Sequence, residues 1–215
     1  MDLKGIVRKI GRIGDGEYAL GLDEHGNITV SKGLPDYARL AAQGFLYAFD
    51  THAGTAKAPV VAMPTTSPEW GLYNDDPDCV LIPVEIACTL KSGTAGLGLS
   101  LVVATAIGKQ TAVAANYTGA IVSATDGSKD QPNAYITNNP TLVGGTPAWH
   151  VMDATRVNTV ATDSVGDGLI AKCNGMFSAP PSGMVAFEVV GETGTTALFS
   201  VSGIFAMVNL KRRKS

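Results

Sequence analysis

Histidine is the side chain most often used for acid–base chemistry near neutral pH, and this 215-residue chain has three of them. The most suggestive arrangement is Asp50-Thr-His52, where a carboxylate could orient an imidazole. Residues two apart in a strand or turn need not face each other, however. His25 and His150 are isolated, and the sequence contains no GxSxG, HExxH or paired-histidine spacing. We therefore expect no enzymatic activity, no metal and no cofactor.

Three acidic loops could supply oxygen ligands to calcium. They are Asn74–Asp78, Asp126–Asp130 and Asp163–Asp167. None has the spacing of an EF-hand. Because Asp and Asn are also common turn formers, turn formation explains these loops without an ion, and calcium binding stays as the alternative.

Two further patterns look chemical but have structural explanations. The glycine-rich segment Gly93–Gly98 lacks the lysine of a phosphate-binding loop and joins two strand-like segments, so we interpret it as a hairpin loop. Cys79, Cys88 and Cys173 lie in apolar stretches without CxxC spacing. We interpret them as buried free thiols, with a disulfide as the alternative.

Positive charge is concentrated at the two ends of a chain whose net charge is −3. Such ends suit non-specific contact with the phosphates of a nucleic acid, and solvated tails are the alternative explanation. The candidate nucleic-acid contacts are Arg8, Lys9, Arg12, Lys211, Arg212, Arg213 and Lys214.

The composition favours contact with other protein chains. Charged residues make up 16% of the sequence, against roughly 25% in ordinary soluble domains. The basic start is not followed by the apolar run of a secretory signal, and no window is long and apolar enough to span a membrane. We expect a protein that is made in a cytoplasm and has no membrane span.

Three regions are predicted along the chain. Residues 1–43 form an N-terminal arm or small subdomain, in which Tyr18–Leu22 and Ile28–Ser31 flank a turn and Pro35–Ala42 forms a short helix. Residues 44–210 form a β-sandwich, and residues 211–215 form a basic tail.

The region after residue 43 alternates between strand-like segments and turns rich in Gly, Pro, Asn and Asp. This pattern predicts an all-β fold, a single jelly-roll-like β-sandwich of about 8–10 strands. The predicted strands are Phe45–Phe49, Pro59–Met63, Trp70–Tyr73, Cys79–Leu90, Leu97–Ile107, Ala120–Ser123, Ala134–Thr137, Ala148–Met152, Leu169–Ala171, Met184–Val190 and Ala197–Leu210.

The segment Cys79–Leu90 is unusually long and apolar for a strand with one solvent-exposed face. Period-two alternation predicts that its even-numbered residues, Val80 to Leu90, face the core. Pro83 cannot donate a ladder hydrogen bond, so the strand lies at an edge or is bulged there, with Glu85 discouraging unwanted pairing. We interpret it as a long edge strand whose second face meets another surface.

The last predicted strand is also apolar on both faces. One chain of this size can cover one face with its second sheet, so an arm, a loop or a neighbouring subunit must cover the other. We predict a subunit interface on these two long strands. The predicted interface residues are Leu81, Glu85, Phe199, Phe205 and Met207.

Several short segments of the sequence resemble segments of phage and viral virion proteins with a jelly-roll domain. They are Gly26–Val30, Leu34–Leu40, Gly44–Tyr47, Trp70–Asn74 and Ala179–Val185. The resemblance implies a capsid or capsid-associated subunit that forms homo-oligomers, trimers or pentamers, within a larger assembly. It further implies contact with other virion proteins and location in the virion after synthesis in a host cytoplasm.

Two other classes of protein remain open. A β-sandwich binding module for carbohydrates or receptors would expose aromatic side chains, and the candidates are Trp70, Tyr73, Tyr135 and Trp149. An enzyme on a cupin-like barrel would need at least two histidines and a carboxylate converging inside it, which three scattered histidines do not favour.

Overall fold

Short strands separated by turns dominate the structure, as the sequence predicts. The computed structural model describes residues 18–22, 28–32, 36–54, 56–94, 98–111, 121–124, 127, 132–156, 168–192 and 196–209. The chain divides into two units, Met1–Gln43 and Gly44–Ser215.

The first unit contains a hairpin and a short helix. Strands β1 (Tyr18–Leu22) and β2 (Ile28–Lys32) pair antiparallel, and helix α1 covers Asp36–Ala42. Gly44 follows the helix with φ +73°, a left-handed conformation that glycine adopts easily and that commonly ends helices. The predicted hairpin and helix are therefore both present.

The described residues of the second unit form ten further strands in two antiparallel sheets. Their bounds are β3 Leu46–Asp50, β4 Trp70–Asn74, β5 Cys79–Ser92, β6 Gly98–Thr105, β7 Ile121–Ser123, β8 Ala134–Asn138, β9 His150–Arg156, β10 Gly168–Lys172, β11 Met184–Gly191 and β12 Leu198–Asn209. The first sheet has the order β10-β5-β12-β3-β7, and the second has the order β8-β4-β11-β6-β9. The predicted strand at Pro59–Met63 is reduced to one bridge between Val60 and Val190.

The connections are those of a jelly roll. The chain alternates between the sheets from β3 to β6, and it alternates again from β9 to β12, so strands distant in sequence become neighbours. Strands β7 and β8 come from the segment between β6 and β9, and each extends one sheet by a strand. The predicted all-β sandwich is confirmed.

Aromatic side chains fill the space between the sheets. Phe187 of β11 stacks on Trp70 of β4 with ring centroids 6.3 Å apart. Phe49 of β3 lies 6.1 Å from Phe187 and 6.2 Å from Phe205 of β12. All four side chains are at most 2% exposed, so rings from both sheets form the centre of one core.

A β-bulge in β5 overturns the predicted alternation of faces along this strand. Glu85 lies opposite Ile204 and Pro83 lies opposite Phe205, so Val84 is an extra residue in the ladder. One extra residue exchanges the faces: Leu81 faces the core before the bulge, and Ile86 faces it afterwards, each 0% exposed. The prediction that even-numbered residues face the core throughout is therefore wrong for Val80, Ile82 and Val84.

The strand is also not at an edge, because β5 lies between β10 and β12. Pro83 is tolerated there for two reasons: it adjoins the bulge, and β10 ends at Lys172, opposite Glu85. Of the two alternatives for Pro83, the bulge is the one present, and the interpretation of β5 as an edge strand is wrong.

Gly203 of β12 lies beside this bulge, where the backbones approach closely. A Cβ there would lie 2.4 Å from the carbonyl oxygen of Glu85 and 2.7 Å from ring atoms of Phe49. We expect Gly203→Ala to lower the free energy of unfolding by about 1–3 kcal/mol in urea denaturation, because the strands must separate to admit the methyl group. Gly98→Ala is the control, since the nearest heavy atom to its added Cβ is 4.0 Å away. Equal losses in the two variants would contradict the close approach.

Candidate functional site

The Asp50-Thr-His52 segment does not form a carboxylate–imidazole pair. The Asp50 carboxylate accepts a hydrogen bond from the backbone N–H of His52 at 2.7 Å. The imidazole Nδ1 instead lies 3.1 Å from Oγ of Ser200, whose side chain is only 4% exposed. Within the described part of the chain, no carboxylate contacts this imidazole. The contact between Ser200 and His52 therefore lacks the third group that orients a general base, and we interpret it as a structural hydrogen bond.

The acidic loop Asn74–Asp78 is held by its own side chains. Oδ1 of Asn74 accepts a hydrogen bond from the N–H of Asp76, and Oδ1 of Asp76 accepts one from the N–H of Asp78. These are turn-forming contacts. Among the described residues, no group of three or more His, Cys, Asp or Glu side chains could hold a metal ion. The other two acidic loops lie largely or wholly outside the described residues.

All three cysteines have free thiols. Cys88 and Cys173 are fully buried, and burial raises the pKa of Cys88 and raises that of Cys173 to about 12. Burial and the nearby Asp76 raise the pKa of Cys79 to about 11. Since the thiolate is the nucleophile, none of these thiols is prepared for nucleophilic chemistry.

A buried carboxylate is the most unusual polar feature of the structure, and it was not among the residues predicted from the sequence. Glu188 is 0% exposed; its Oε2 accepts from the N–H of Glu69 at 2.7 Å and its Oε1 accepts from the N–H of Val189 at 2.9 Å. Lys57 Nζ lies 3.0 Å from Oε2 of Glu69 and donates to Asn139 Oδ1 at 2.8 Å. Burial raises the pKa of Glu188 to about 8, although the two backbone hydrogen bonds oppose the shift. The sequence feature that could have identified this buried carboxylate is the presence of a single glutamate within the apolar run Met184–Val190.

This polar cluster joins segments rather than lining a reaction site. The chain after β3 donates from Lys57 N to the carbonyl of Phe199 in the first sheet. It then donates from Val60 N to the carbonyl of Val189 in the second sheet. Lys57, Glu69 and Glu188 therefore lie where one connection ties the two sheets together.

Four of the five predicted interface residues belong to the core of a single chain. Leu81, Phe199, Phe205 and Met207 are at most 4% exposed and pack in the main hydrophobic cluster. They face the second sheet, so their side chains form no exposed surface, and this assignment is corrected. Leu81 faces the core and not the outer surface because the bulge exchanges the two faces of β5. Glu85, the fifth residue, is half-buried on the opposite face.

The candidate aromatic binding residues are also mostly enclosed. Trp70 is 0% exposed in the main core, and Tyr73 is 2% exposed. Tyr73 stacks on Tyr135 with ring centroids 6.4 Å apart, and Trp149 donates its indole N–H to the carbonyl of Thr65 at 3.3 Å. The rings of Tyr73, Tyr135 and Trp149 pack on the outer side of the second sheet, and the four candidates do not form an open aromatic platform.

The outer faces of the two sheets differ. On the second sheet, Tyr73, Met184 and Ala186 form a hydrophobic cluster with Leu142 and Trp149, which come from the connection between β8 and β9. This chain therefore covers its own second sheet. Within Gly44–Ser215, the described residues form no equivalent hydrophobic cluster over the first sheet.

The outer face of the first sheet is largely apolar and half-buried. We call it the open face. Cross-strand pairs place Val80 beside Val208, Ile82 beside Ala206, and Ala48 beside Ile204. Its residues on the described strands include Leu46, Ala48, Val80, Ile82, Val84, Ala87, Val122, Ile170, Ile204, Ala206 and Val208. Two of them, Leu46 and Ala206, are only 8% and 2% exposed. A contiguous apolar surface of this kind marks an interaction site more often than a solvated one.

The predicted nucleic-acid contacts lie outside the described residues. Arg8, Lys9 and Arg12 precede residue 18, and Lys211, Arg212, Arg213 and Lys214 follow residue 209. In the part of the chain that the structure describes, no helix is long and apolar enough to cross a membrane.

The fold and the open face define a jelly-roll β-sandwich protein with an apolar outer sheet surface. No protein-family model and no curated protein matches its sequence. Two solved structures of infectious bursal disease virus, of the Gx and Gt strains, are similar at 15% and 16% identity. They cover 94% and 92% of this chain with TM-scores of 0.15 and 0.14. This chain spans 48% of each of those chains; at such TM-scores the likeness carries no argument.

Proposed function

We propose that this protein is a non-enzymatic structural subunit of a virus or phage particle, and that it self-assembles into that particle. The observation that carries the proposal is the open face, an apolar sheet surface on a jelly-roll sandwich whose other outer face is covered by its own chain. Apolar surface of this extent is costly to leave in water and is stabilised by burial against another protein.

Other features support the same function. The low fraction of charged residues, 16%, suits a protein that buries much of its surface in an assembly. The basic ends suit non-specific contact with a genome. The short sequence segments that resemble virion proteins also favour a virion structural protein. The subunit would form a homo-oligomer, a trimer or pentamer, contact other virion proteins and reside in the virion.

The described residues favour this function over catalysis or ligand recognition. The Asp50 carboxylate contacts the backbone N–H of His52 and not its imidazole, and the three thiols are poor nucleophiles. The aromatic residues that a carbohydrate-binding module would expose are packed against the sandwich. An assembly role requires no reactive group, so these features agree with it.

Light scattering after size exclusion of the full-length protein tests the proposal, at low and at high salt. We expect a defined oligomer or a particle-sized species, and we expect association to persist at high salt, because apolar contacts are not screened. A monomer at every concentration and salt would contradict the proposed function.

A further inference from the structure

Three side chains of different chemistry meet in the polar cluster beside β11. Nζ of Lys57 donates a hydrogen bond to Oδ1 of Asn139 at 2.8 Å, and it lies 3.0 Å from Oε2 of Glu69. An amine, an amide carbonyl and a carboxylate are the groups needed to form a new amide bond between two side chains. We propose that Lys57 and Asn139 join in such an isopeptide bond and that Glu69 transfers the protons. This modification concerns a single chain and does not depend on self-assembly.

The backbones of both reacting residues are fixed. Lys57 exchanges two backbone hydrogen bonds with Phe199 of β12, at 2.9 and 2.7 Å. Asn139 directly follows β8, and its N–H donates to the carbonyl of Glu69 at 2.9 Å. Groups held in contact react far faster than free ones, because the entropy of bringing them together is already lost on folding. Nζ of Lys57 already touches Oδ1, so rotation of the lysine side chain brings it to Cγ, the carbon that carries this oxygen.

The backbone of Asn139 has an unusual conformation. Its φ is +48°, in the left-handed region that few residues other than glycine adopt, although asparagine is among the more tolerant. Such conformations persist where the surroundings impose them, and they are concentrated at functional sites. Here the hydrogen bond to Glu69 and the buried Pro140 hold the segment. The amide of Asn139 thereby reaches Lys57, which lies 82 positions earlier in the chain.

The carboxylate of Glu69 is placed to accept the proton that Lys57 must lose. Its Oε2 is buried and accepts no hydrogen bond within the described part of the chain, so it is available to Nζ. The side chain of Lys57 is only 15% exposed, which limits competition from water. Glu188 positions Glu69 by accepting its backbone N–H at 2.7 Å. Burial raises the pKa of Glu188 to about 8, so near neutral pH the carboxylate of this glutamate pair belongs to Glu69.

The reaction balances without an added reagent. The Lys57 ammonium gives one proton to the Glu69 carboxylate, and the resulting amine attacks Cγ of Asn139 to form the Nζ–Cγ bond. The Glu69 carboxyl group donates that proton to Nδ2, the Cγ–Nδ2 bond breaks, and the carboxylate takes the second proton from Nζ. Ammonia leaves and takes this proton as ammonium, so Glu69 ends unchanged. The side chains react once and need no substrate pocket, which suits a cluster that joins segments.

The bond closes a covalent loop within the sandwich. It links the connection between β3 and β4 to the residue after β8, 82 positions apart in sequence. A cross-link that closes a long loop stabilises the folded state, since it restricts the unfolded chain. The connection that ties the two sheets together therefore becomes a permanent part of the fold.

Intact mass spectrometry of the full-length protein after prolonged incubation tests the bond. We expect a mass below that of the sequence by about 17 Da, because one ammonia is released. Tandem mass spectrometry of a digest should find the peptides that contain Lys57 and Asn139 joined to each other. A wild type that keeps its full sequence mass overturns the proposal.

Lys57→Arg is the decisive variant. It keeps the positive charge and the hydrogen-bond donors but lacks a nucleophilic amine, so it should retain its full sequence mass. Lys109→Arg, at an exposed lysine, is the matched control and should lose ammonia like the wild type. A succinimide at the exposed pair Asn174-Gly175 also releases ammonia. An equal mass loss in Lys57→Arg would therefore assign the loss to another site and overturn the isopeptide bond.

Two further variants test the roles of the partners. Asn139→Gly removes the amide and retains a residue that adopts φ +48° easily; it replaces Lys57→Arg if that variant does not fold, and it should keep its full sequence mass. Glu69→Gln removes the proton acceptor, so the linked fraction should grow at least about 100-fold more slowly after synthesis. Bond formation at the wild-type rate in Glu69→Gln overturns the role given to Glu69.

Discussion

Phe205→Ala is expected to lower the free energy of unfolding by about 3–5 kcal/mol. The side chain is 0% exposed and lies 5.6 Å from the ring of Tyr47 and 6.2 Å from that of Phe49. Truncation removes buried apolar surface and leaves a cavity between two sheets whose backbones are fixed by long ladders. Urea denaturation followed by circular dichroism measures the loss.

The same experiment decides between a core and an interface role for Phe205. A core residue touches only its own chain, so the loss of stability should be the same at every protein concentration. Leu198→Ala on the same strand is the control, because Leu198 is 36% exposed and its truncation should cost less than about 1 kcal/mol. A loss in Phe205→Ala that grows with protein concentration would restore the interface role that the sequence suggested.

The stability of the protein is expected to fall as pH rises from about 5 to 8. The pKa of Glu188 is about 8 in the folded protein against 4.5 for an ordinary glutamate. Between these values the folded chain holds a proton that the unfolded chain has released, so raising the pH favours unfolding. The slope should reach about 1.4 kcal/mol per pH unit, and the total should be on the order of 5 kcal/mol before it levels off above pH 8.

Urea midpoints at pH 5.5, 6.5, 7.5 and 8.5 measure this dependence, and Glu188→Gln isolates its source. A glutamine oxygen can accept one of the two N–H bonds that Glu188 receives, while its NH₂ group must face the other. The variant can therefore be less stable at pH 5.5, but its stability should change less with pH. Parallel pH profiles in the wild type and in Glu188→Gln would show that Glu188 does not hold the proton. Lys57 and Glu69, the charged side chains nearest to this carboxyl group, are present in both proteins.

Local pattern was sufficient to predict the fold class. Turn residues bounded the strands to within a few positions. Apolar segments predicted strands at Trp70–Tyr73 and Met184–Val190, and the observed strands are Trp70–Asn74 and Met184–Gly191. These signals are local: a turn or an alternation is determined by neighbours in sequence. They predicted a sandwich because every long segment had the period of a strand.

Features that depend on distant partners were not predicted. The alternation in Cys79–Leu90 does not show that one residue, Val84, is extra, because the bulge exists only relative to β12. That single residue exchanged the faces of half the strand, so Leu81 was assigned to an interface and Ile82 to the core. Glu188 was missed for a similar reason, since its burial depends on Lys57 and Glu69, more than a hundred positions away.

The position of β12 affects how the protein is made. This strand lies between β5 and β3 in the middle of the first sheet, although it is the last described strand along the chain. During translation, β3 and β5 leave the ribosome long before the strand that joins them. The first sheet can close only after Leu198–Asn209 has emerged. A nascent chain that stops earlier cannot build this sheet, so the topology lets only chains synthesised past this point reach the native state.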